Sequence, residues 1–269
     1  MAEPLVPDEL WEVVRPLLPK HRRKPRGRGR PPVDDRAALG GILFVLKTGI
    51  PWEFLPQQMG CGSGMTLLAA AARLAPRRRV QAAAPAAPGP DARGGVPRLH
   101  RRHRRLGLGP RRPRGKKTGK SPVDRRKNGS KHHLLTDANG TPVAATLTGA
   151  NRHDVTQLLP LLDAAPAVAG LRGRPRRRFL LVLGDRAYHS EPHRQAVRAR
   201  GSIPMLARRG EPHGSGLGTV RWPVERSLSW MHQNRRLRVR YEKRDDVHEA
   251  LMDLAEAMIC WSRLHSDFC

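Results

Sequence analysis

Residues 127–151 read KNGSKHHLLTDANGTPVAATLTGAN, and this stretch decides the fold. Two extended runs flank the turn Ala138-Asn139-Gly140. An Asn-Gly pair between two such runs is a strong signal for a β-hairpin. The sequence therefore predicts a hairpin here, with Asp137 as a turn residue.

Strands and helices alternate after the hairpin. Residues 155–164 are apolar at helical spacing, and Asp154 stands where a helix cap would. Residues 179–183, FLLVL, suit a strand buried on both faces, and Gly184 and Asp185 end it. A helix capped by Ser190, a strand over residues 203–207 and a long helix from about Trp222 follow. The pattern predicts an α/β (α+β) domain over residues 115–269.

The first 66 residues have helical spacing. A short helix is expected within residues 4–19, a second over residues 35–47 with Asp34 as its cap, and a third that begins near Ser63 or Thr66. Helix, turn and helix in this order indicate a small DNA-binding head over residues 1–66. Between the first two helices, residues 20–32 form a basic arm that either contacts phosphate or is a flexible loop.

The composition changes abruptly over residues 67–114. These 48 residues contain 13 Arg, 11 Ala and 7 Pro, with Asp91 as the single acid. One interpretation is a reading-frame slip after Thr66 that is compensated before Gly115, and the other is a natural disordered basic linker. Either way the stretch is expected to form no packed unit, although its Ala-rich start favours a helix.

Charge and composition narrow the class of protein. The net charge of +28 favours a polyanionic partner, DNA or RNA. Aromatic residues make up 4% of the chain, which argues against an RNA-binding protein that stacks bases. No apolar run is long enough for a membrane span and no signal peptide is visible, so we expect a cytoplasmic, nucleoid-associated protein without membrane contact. Three scattered cysteines indicate reduced thiols.

Two carboxylates are candidates for chemistry. Asp185 follows a buried strand, at an edge where ligands usually bind, but a helix cap or a salt bridge would also explain it. Glu225 lies among many arginines beside an apolar helical stripe, so spacing alone allows either an ion pair or a metal ligand. The neighbouring His132 and His133 should point to opposite faces of a strand, which argues against one shared metal ion.

Several segments together resemble the bacterial insertion-sequence transposases of the DDE class, within them the insertion-sequence-5 group. The resemblance rests on four motifs in the same order: VDDRAALGGILFVLKTGIPWEFLP (33–56), residues 127–163, GDRAY (184–188) and RWPVERSLSWMHQNRRLRVRYE (221–242).

The resemblance implies a ribonuclease-H-like catalytic domain behind a small helical DNA-binding head. It also implies two divalent ions, Mg²⁺ or Mn²⁺, held by three carboxylates for DNA strand cleavage and transfer. Asp185 matches the second acid and Glu225 the helical acid. Arg221 matches an arginine ahead of the helical acid, and His232 stands where related groups have lysine. Pro223 is expected to precede the helix and to displace Arg221 from its face.

The implied partners are double-stranded DNA, as terminal inverted repeats and target, and a second copy of the chain in a homodimer. Basic side chains of the arm and of the segment after Glu225 are the expected DNA contacts. They are Arg22, Arg23, Lys24, Arg26, Arg235, Arg236, Arg238 and Arg240.

The first acid of the family has no convincing counterpart. Asp91 and Asp124 lie outside any strand pattern, and the region where the acid belongs is the altered stretch. The codons of residues 102–105 can be chosen so that a one-base shift reads Val-Ile-Asp, and a shift after Thr66 can read Cys-Trp-Arg-Arg. The chain is therefore interpreted as a defective transposase copy; the alternative is a non-catalytic DNA-binding protein that represses the intact element.

Overall fold

The computed structural model describes residues 4–19, 32–74, 98–105, 115–122, 125–167, 179–208, 210 and 217–266. In these residues the α-helices are α1 (Asp8–Val14), α2 (Asp35–Thr48), α3 (Gly64–Leu74), α4 (Leu158–Ala164), α5 (Glu191–Ala199), α6 (Leu217–Gln233), α7 (Arg235–Arg238) and α8 (Asp245–Ser266). The strands are β1 (Arg98–Arg105), β2 (Gly119–Lys120), β3 (Asn128–Thr136), β4 (Pro142–Gly149), β5 (Leu181–Gly184) and β6 (Ile203–Leu206). No helix of the described residues is long and apolar enough to cross a membrane.

One mixed sheet contains the six strands, with β1 in its middle. On one side β1 pairs antiparallel with β3, whose other edge carries β2 and β4. On the other side β1 pairs parallel with β5, and Leu99 lies opposite Gly184. Strand β6 continues the sheet parallel to β5. The predicted hairpin is confirmed as β3 and β4, where Asp137 Oδ1 accepts the amides of Asn139 and Thr141.

Within the stretch that was expected to form no packed unit, the structure describes one strand, β1. Arg98–Arg105 is a continuous strand with a partner on each side. A strand's backbone N–H and C=O groups are satisfied by its neighbours whatever side chains it carries, and a gap here would leave edges of β3 and β5 unpaired. Residues 75–97 and 106–114 lie outside the described residues. The Ala-rich start is helical, as predicted, within α3.

The N-terminal helices do not have a core of their own. Leu10, Ile42 and Leu67 belong to the same buried cluster as Leu228 and Leu251 of α6 and α8. A second cluster, on α4, α5 and the strands, includes Leu161, Val182 and Tyr188. The boundary predicted at residue 66 therefore separates two parts of the sequence but not two hydrophobic cores.

Two of the predicted helix caps form capping hydrogen bonds, and two do not. The Asp34 carboxylate accepts the amide of Ala37 at 2.9 Å, and Ser63 Oγ accepts that of Thr66 at 3.3 Å, as predicted. Asp154 was expected as a cap, but His153 holds the cap position and Asp154 turns inward to a buried lysine. Ser190 precedes α5 without a capping hydrogen bond.

Helix α6 begins earlier than predicted. It starts at Leu217, so Pro223 lies inside it rather than in front of it. A proline has no N–H to donate to the carbonyl one turn before it in a helix. One turn after Pro223, the Ser227 hydroxyl lies within hydrogen-bond distance of two carbonyls, that of Pro223 at 2.9 Å and that of Gly140 at the hairpin turn, and its single proton is shared between them. The contact with Gly140 joins α6 to the hairpin.

Candidate active site and its surroundings

Asp185 sits at the end of β5, where the sequence places it. Strand β5 is buried because Val182 and Leu183 pack inside, and the chain turns immediately after Gly184. The Asp185 carboxylate accepts the amide of Ala187 at 3.0 Å and caps the short turn that follows. Asp185 is therefore a helix cap, which was one of the alternatives for this residue. Its half-buried side chain also faces an open space.

That space is a cavity of about 600 Å³, which we call the Asp185 cavity. Its volume is within the roughly 300–1,000 Å³ of ordinary ligand sites. The cavity is lined by Pro122, Lys131, Asn151, Arg152, His153, Asp154, Val155, Asp185, Arg186, Ala187 and His189. It lies between the end of β5 and the loop that follows β4.

A buried ion pair forms one wall of the Asp185 cavity. Lys131 Nζ lies 3.1 Å from Asp154 Oδ1, and both side chains are 4% exposed. Lys131 also donates to the Arg152 carbonyl, which holds the loop after β4 against the sheet. Sequence reasoning missed this pair, because 23 positions separate residues that the β3–β4 hairpin brings together.

Glu225 does not line the Asp185 cavity. Its side chain is exposed on α6, whereas the cavity is formed by β3, β5 and two loops. Among the residues that the structure describes, no three or more His, Cys, Asp or Glu side chains form a group that could hold a metal ion. The described side chains therefore do not fit a pair of divalent ions, and the approach of Glu225 to Asp185 stays a prediction.

His232 is part of a buried histidine chain rather than a group that faces substrate. Its Nε2 lies 3.1 Å from Nδ1 of His132, whose Nε2 lies 2.9 Å from Nε2 of His248. These three rings are 5% exposed or less. The catalytic role of His232 stays a prediction; in this arrangement the packing of α6 on β3 and α8 turns the ring inward. His133 points to the other face, as predicted, where it contacts Tyr188 and Thr148.

The buried histidines should make the stability of the fold sensitive to acid. Burial holds the pKa of His248 well below its ordinary value of 6.5, and the charges of His132, Arg240, Arg236 and His232 lower it further. His248 therefore binds a proton near pH 6.5 in the unfolded chain but stays neutral at that pH in the folded chain. Stability should fall as the pH drops below about 6.5, by up to about 1.4 kcal/mol per pH unit.

Urea unfolding between pH 7.5 and 5 measures this effect. His248→Phe should flatten the slope, whereas His265→Gln, which removes an exposed histidine of the same helix, should leave it unchanged. Equal slopes for the wild type and His248→Phe would show that the chain of histidines is not the acid-sensitive element.

The four arginines predicted as DNA contacts after Glu225 differ in their exposure. Arg235 and Arg238 are exposed. Arg236 and Arg240 are buried, at 5% and 2% exposed, so their DNA contacts stay a prediction that this burial does not support. Arg236 pairs with Glu242 at 2.8 Å, and Arg240 donates to the carbonyls of Lys116 and Lys117. The turn from α6 into α8 buries these two side chains, which their spacing in the sequence does not reveal.

The other side chains predicted to bind DNA or to act in catalysis are not among those that the structure describes. The arm with Arg22, Arg23, Lys24 and Arg26 is not among the described residues. Arg221 is in helix α6, but its side chain is not described. Cys61 and Cys260 are free and buried, as expected, and burial raises the pKa of the Cys260 thiol to about 12.

An aromatic surface on α6 was not expected from the low aromatic content. The guanidinium of Arg226 lies between the rings of Trp222 and Trp230, 4.4 and 4.7 Å from their centres. The guanidinium of Arg263, on α8, lies 5.8 Å from the centre of the Trp230 ring. Helical spacing of four residues places these side chains on one face, a signal that the sequence does contain.

Comparison with known proteins agrees on one family. The model described as "Transposase DDE domain" matches residues 98–259, and that of a putative transposase of the IS4/5 family (DUF4096) matches residues 6–82. The chain is 52% identical over 201 residues to the putative transposase for insertion sequence element IS402 of Burkholderia cepacia, which covers 75% of this chain and 95% of that protein.

A second similar protein comes from the same organism. The uncharacterized 16.2 kDa protein of insertion element IS402 is 58% identical over 67 residues, which covers 24% of this chain and 46% of that protein. No solved structure is significantly similar to the chain.

Proposed function

The chain belongs to the insertion-sequence transposases with a DDE domain, and we propose that it is a copy that binds element DNA but has lost strand cleavage. The match to the DDE domain over residues 98–259 carries the lineage. The family implies divalent metal ions and DNA as substrate. Cleavage and transfer of strands at terminal inverted repeats would be the reaction of an intact copy.

A ribonuclease-H-like fold is part of this proposal. In support, the long strand β1 lies between an antiparallel hairpin and the parallel strands β5 and β6. Asp185 follows the strand next to β1, and Glu225 lies on the helix that packs on β1 and β3. The three acids of the family come from a first strand, a later strand and a helix, and this order of elements supports the proposed fold.

The loss of cleavage rests on the side chains in that frame. Glu225 is exposed and is not among the residues that line the Asp185 cavity, and residues 98–105 contain no acid at all. Two metal ions that activate a nucleophile and stabilise a leaving oxygen need carboxylates from all three positions.

The N-terminal helices support a weakened reading of DNA sequence. Helix α3, where a recognition helix would lie, displays the exposed Met65 and Ala69 and contains Arg73 as its one charged residue. Base recognition in the major groove depends on hydrogen-bonding side chains such as Arg, Asn and Gln. Binding would then rest on phosphate contacts and on positive charge.

One experiment separates a cleaving from a merely binding protein. The full chain is mixed with duplex DNA that carries the element's terminal inverted repeats, in Mg²⁺ or Mn²⁺, and both retention on a gel and strand breaks are measured. Retention without breaks is the expected result. Efficient breaks at the repeat ends would overturn the proposed defect, and absence of retention would overturn the proposed binding.

The second candidate function is repression of the intact element. The exposed Arg235 and Arg238 favour it, because phosphate contacts through these side chains would not depend on catalysis. In a test, added chain should lower transposition of an intact element in trans. An unchanged transposition frequency at saturating chain would exclude this candidate.

The phosphate contacts of the α7 region can be measured by salt dependence. Replacing Arg235 and Arg238 by Gln should reduce the slope of log K against log salt by about 2 on duplex DNA, because each lost contact changes the slope by roughly 0.9. The matched control replaces Arg198 and Arg200 by Gln, two exposed arginines of the α5 region that pair with Glu191 and Asp163. Equal slopes for the two double variants would place the DNA elsewhere.

A further inference from the structure

We propose that the Asp185 cavity is a phosphodiester-binding subsite in which Lys131, held by Asp154, contacts the DNA backbone. The proposal rests on the proposed function for the identity of its ligand and adds the group that receives the phosphate. Lys131 belongs to strand β3 and is not one of the family's three acids, nor one of the basic side chains expected from the sequence.

The lysine is built into the wall of the cavity. Its side chain is 4% exposed, and its ammonium group pairs with Asp154 at 3.1 Å and donates to the Arg152 carbonyl. Lys131 also lines the Asp185 cavity, so its positive charge is held at the cavity wall.

The buried pair needs a reason beyond stability. Removing two charges from water costs several kcal/mol per ion, so a buried lysine–aspartate pair adds little to folding compared with apolar side chains of similar volume. Asp154 was available as a helix cap and instead faces Lys131. A pair that keeps a charged amine at a cavity wall in one fixed position is suited to receive an anion without reorganisation.

The rest of the lining fits a phosphodiester. Among the lining residues, Lys131, Arg152 and Arg186 carry three positive charges against the two carboxylates of Asp154 and Asp185. The loop that carries Arg152 is anchored by Asn151, whose Oδ1 occupies the space that a side chain at Gly119 or Gly149 would fill. A rigid loop, a buried amine and a cationic rim form a site for one backbone phosphate beside Asp185.

The test uses a ligand with a single phosphodiester, thymidylyl-thymidine, titrated against the full chain in EDTA and followed by NMR line broadening. The double variant Lys131→Met/Asp154→Asn removes both members of the pair and leaves the net charge unchanged. It should weaken binding at least about tenfold, the size of one charge-assisted contact.

The matched control is Lys117→Met/Glu249→Gln, which removes a lysine–carboxylate pair at a different cavity. It should bind the dinucleotide as the wild type does. If both double variants bind alike, the subsite is refuted.

A second variant guards against misfolding of the first. Asp185→Asn keeps the cap, since asparagine caps as well as aspartate, and removes a negative charge that repels the phosphate. It should bind the dinucleotide several-fold more tightly, a change of the order of 1 kcal/mol for charges at that range. Unchanged affinity would mean that the dinucleotide does not enter the Asp185 cavity.

Duplex binding by the wild type is measured in parallel. Dinucleotide binding that depends on Lys131 without retention of inverted-repeat DNA would leave the subsite standing and refute the proposed function. Retention of DNA without an effect of the Lys131 variant would refute the subsite alone.

Discussion

A chain whose reading frame is restored between residues 67 and 114 should cleave the ends of the insertion sequence, whereas the chain as written should not. The restored β1 would carry an aspartate in place of Arg104; β1 pairs with β5 at Arg98 and Leu99, opposite Leu183 and Gly184. Metal ions stabilise the charge of a transition state by several kcal/mol, so the difference in rate should be at least about 100-fold. The assay measures strand breaks on inverted-repeat DNA in Mg²⁺ or Mn²⁺.

Two controls define this result. Asp185→Asn in the restored chain should abolish the recovered cleavage, because the position after β5 would then lack its carboxylate. The single change Arg104→Asp in the present chain tests the acid without the recognition helix, and should cleave less than the fully restored chain. Cleavage by the unrestored chain at a similar rate would show that it has no catalytic defect.

Local signals in the sequence were sufficient for the elements near Asp185. The Asn-Gly turn fixes the hairpin because only a tight turn accommodates it, and the apolar run before Gly184 fixes β5. The Asp34 cap is likewise decided within one helical turn. These features depend on neighbours in the chain, which a sequence shows directly.

Burial of charged side chains could not be read in the same way. Arg235, Arg236, Arg238 and Arg240 look equivalent in sequence, yet the chain reverses after α7 and encloses two of them. Asp154 meets Lys131 only because the hairpin folds back. Strand β1 was missed for the opposite reason, because its place in the sheet is dictated by the edges of β3 and β5 rather than by its own side chains.

The enclosed arginines produce the second large effect that we expect. Glu242 accepts from Arg236 Nε at 2.8 Å and from Trp52 Nε1 at 3.1 Å, and its side chain is 8% exposed. Glu242→Ala leaves the Arg236 guanidinium buried without its carboxylate. Removing one partner of a buried pair costs about 3–5 kcal/mol, a large part of the 5–15 kcal/mol of a typical domain. Urea unfolding at pH 7.5 measures the loss.

The effect should depend on burial rather than on the loss of an ion pair. Asp163→Ala breaks the pair with Arg200, whose N···O distance of 3.1 Å is similar but whose partners are exposed, so it should cost at most about 1 kcal/mol. The double variant Arg236→Met/Glu242→Leu should recover most of the loss, since no charge then remains buried.

Arg236 also donates to the Ile50 carbonyl at 3.0 Å. Glu242→Ala should therefore loosen the segment after α2 together with α7, because one carboxylate holds both. A cost below 1 kcal/mol for this change would mean that apolar packing alone joins the N-terminal helices to the rest of the chain.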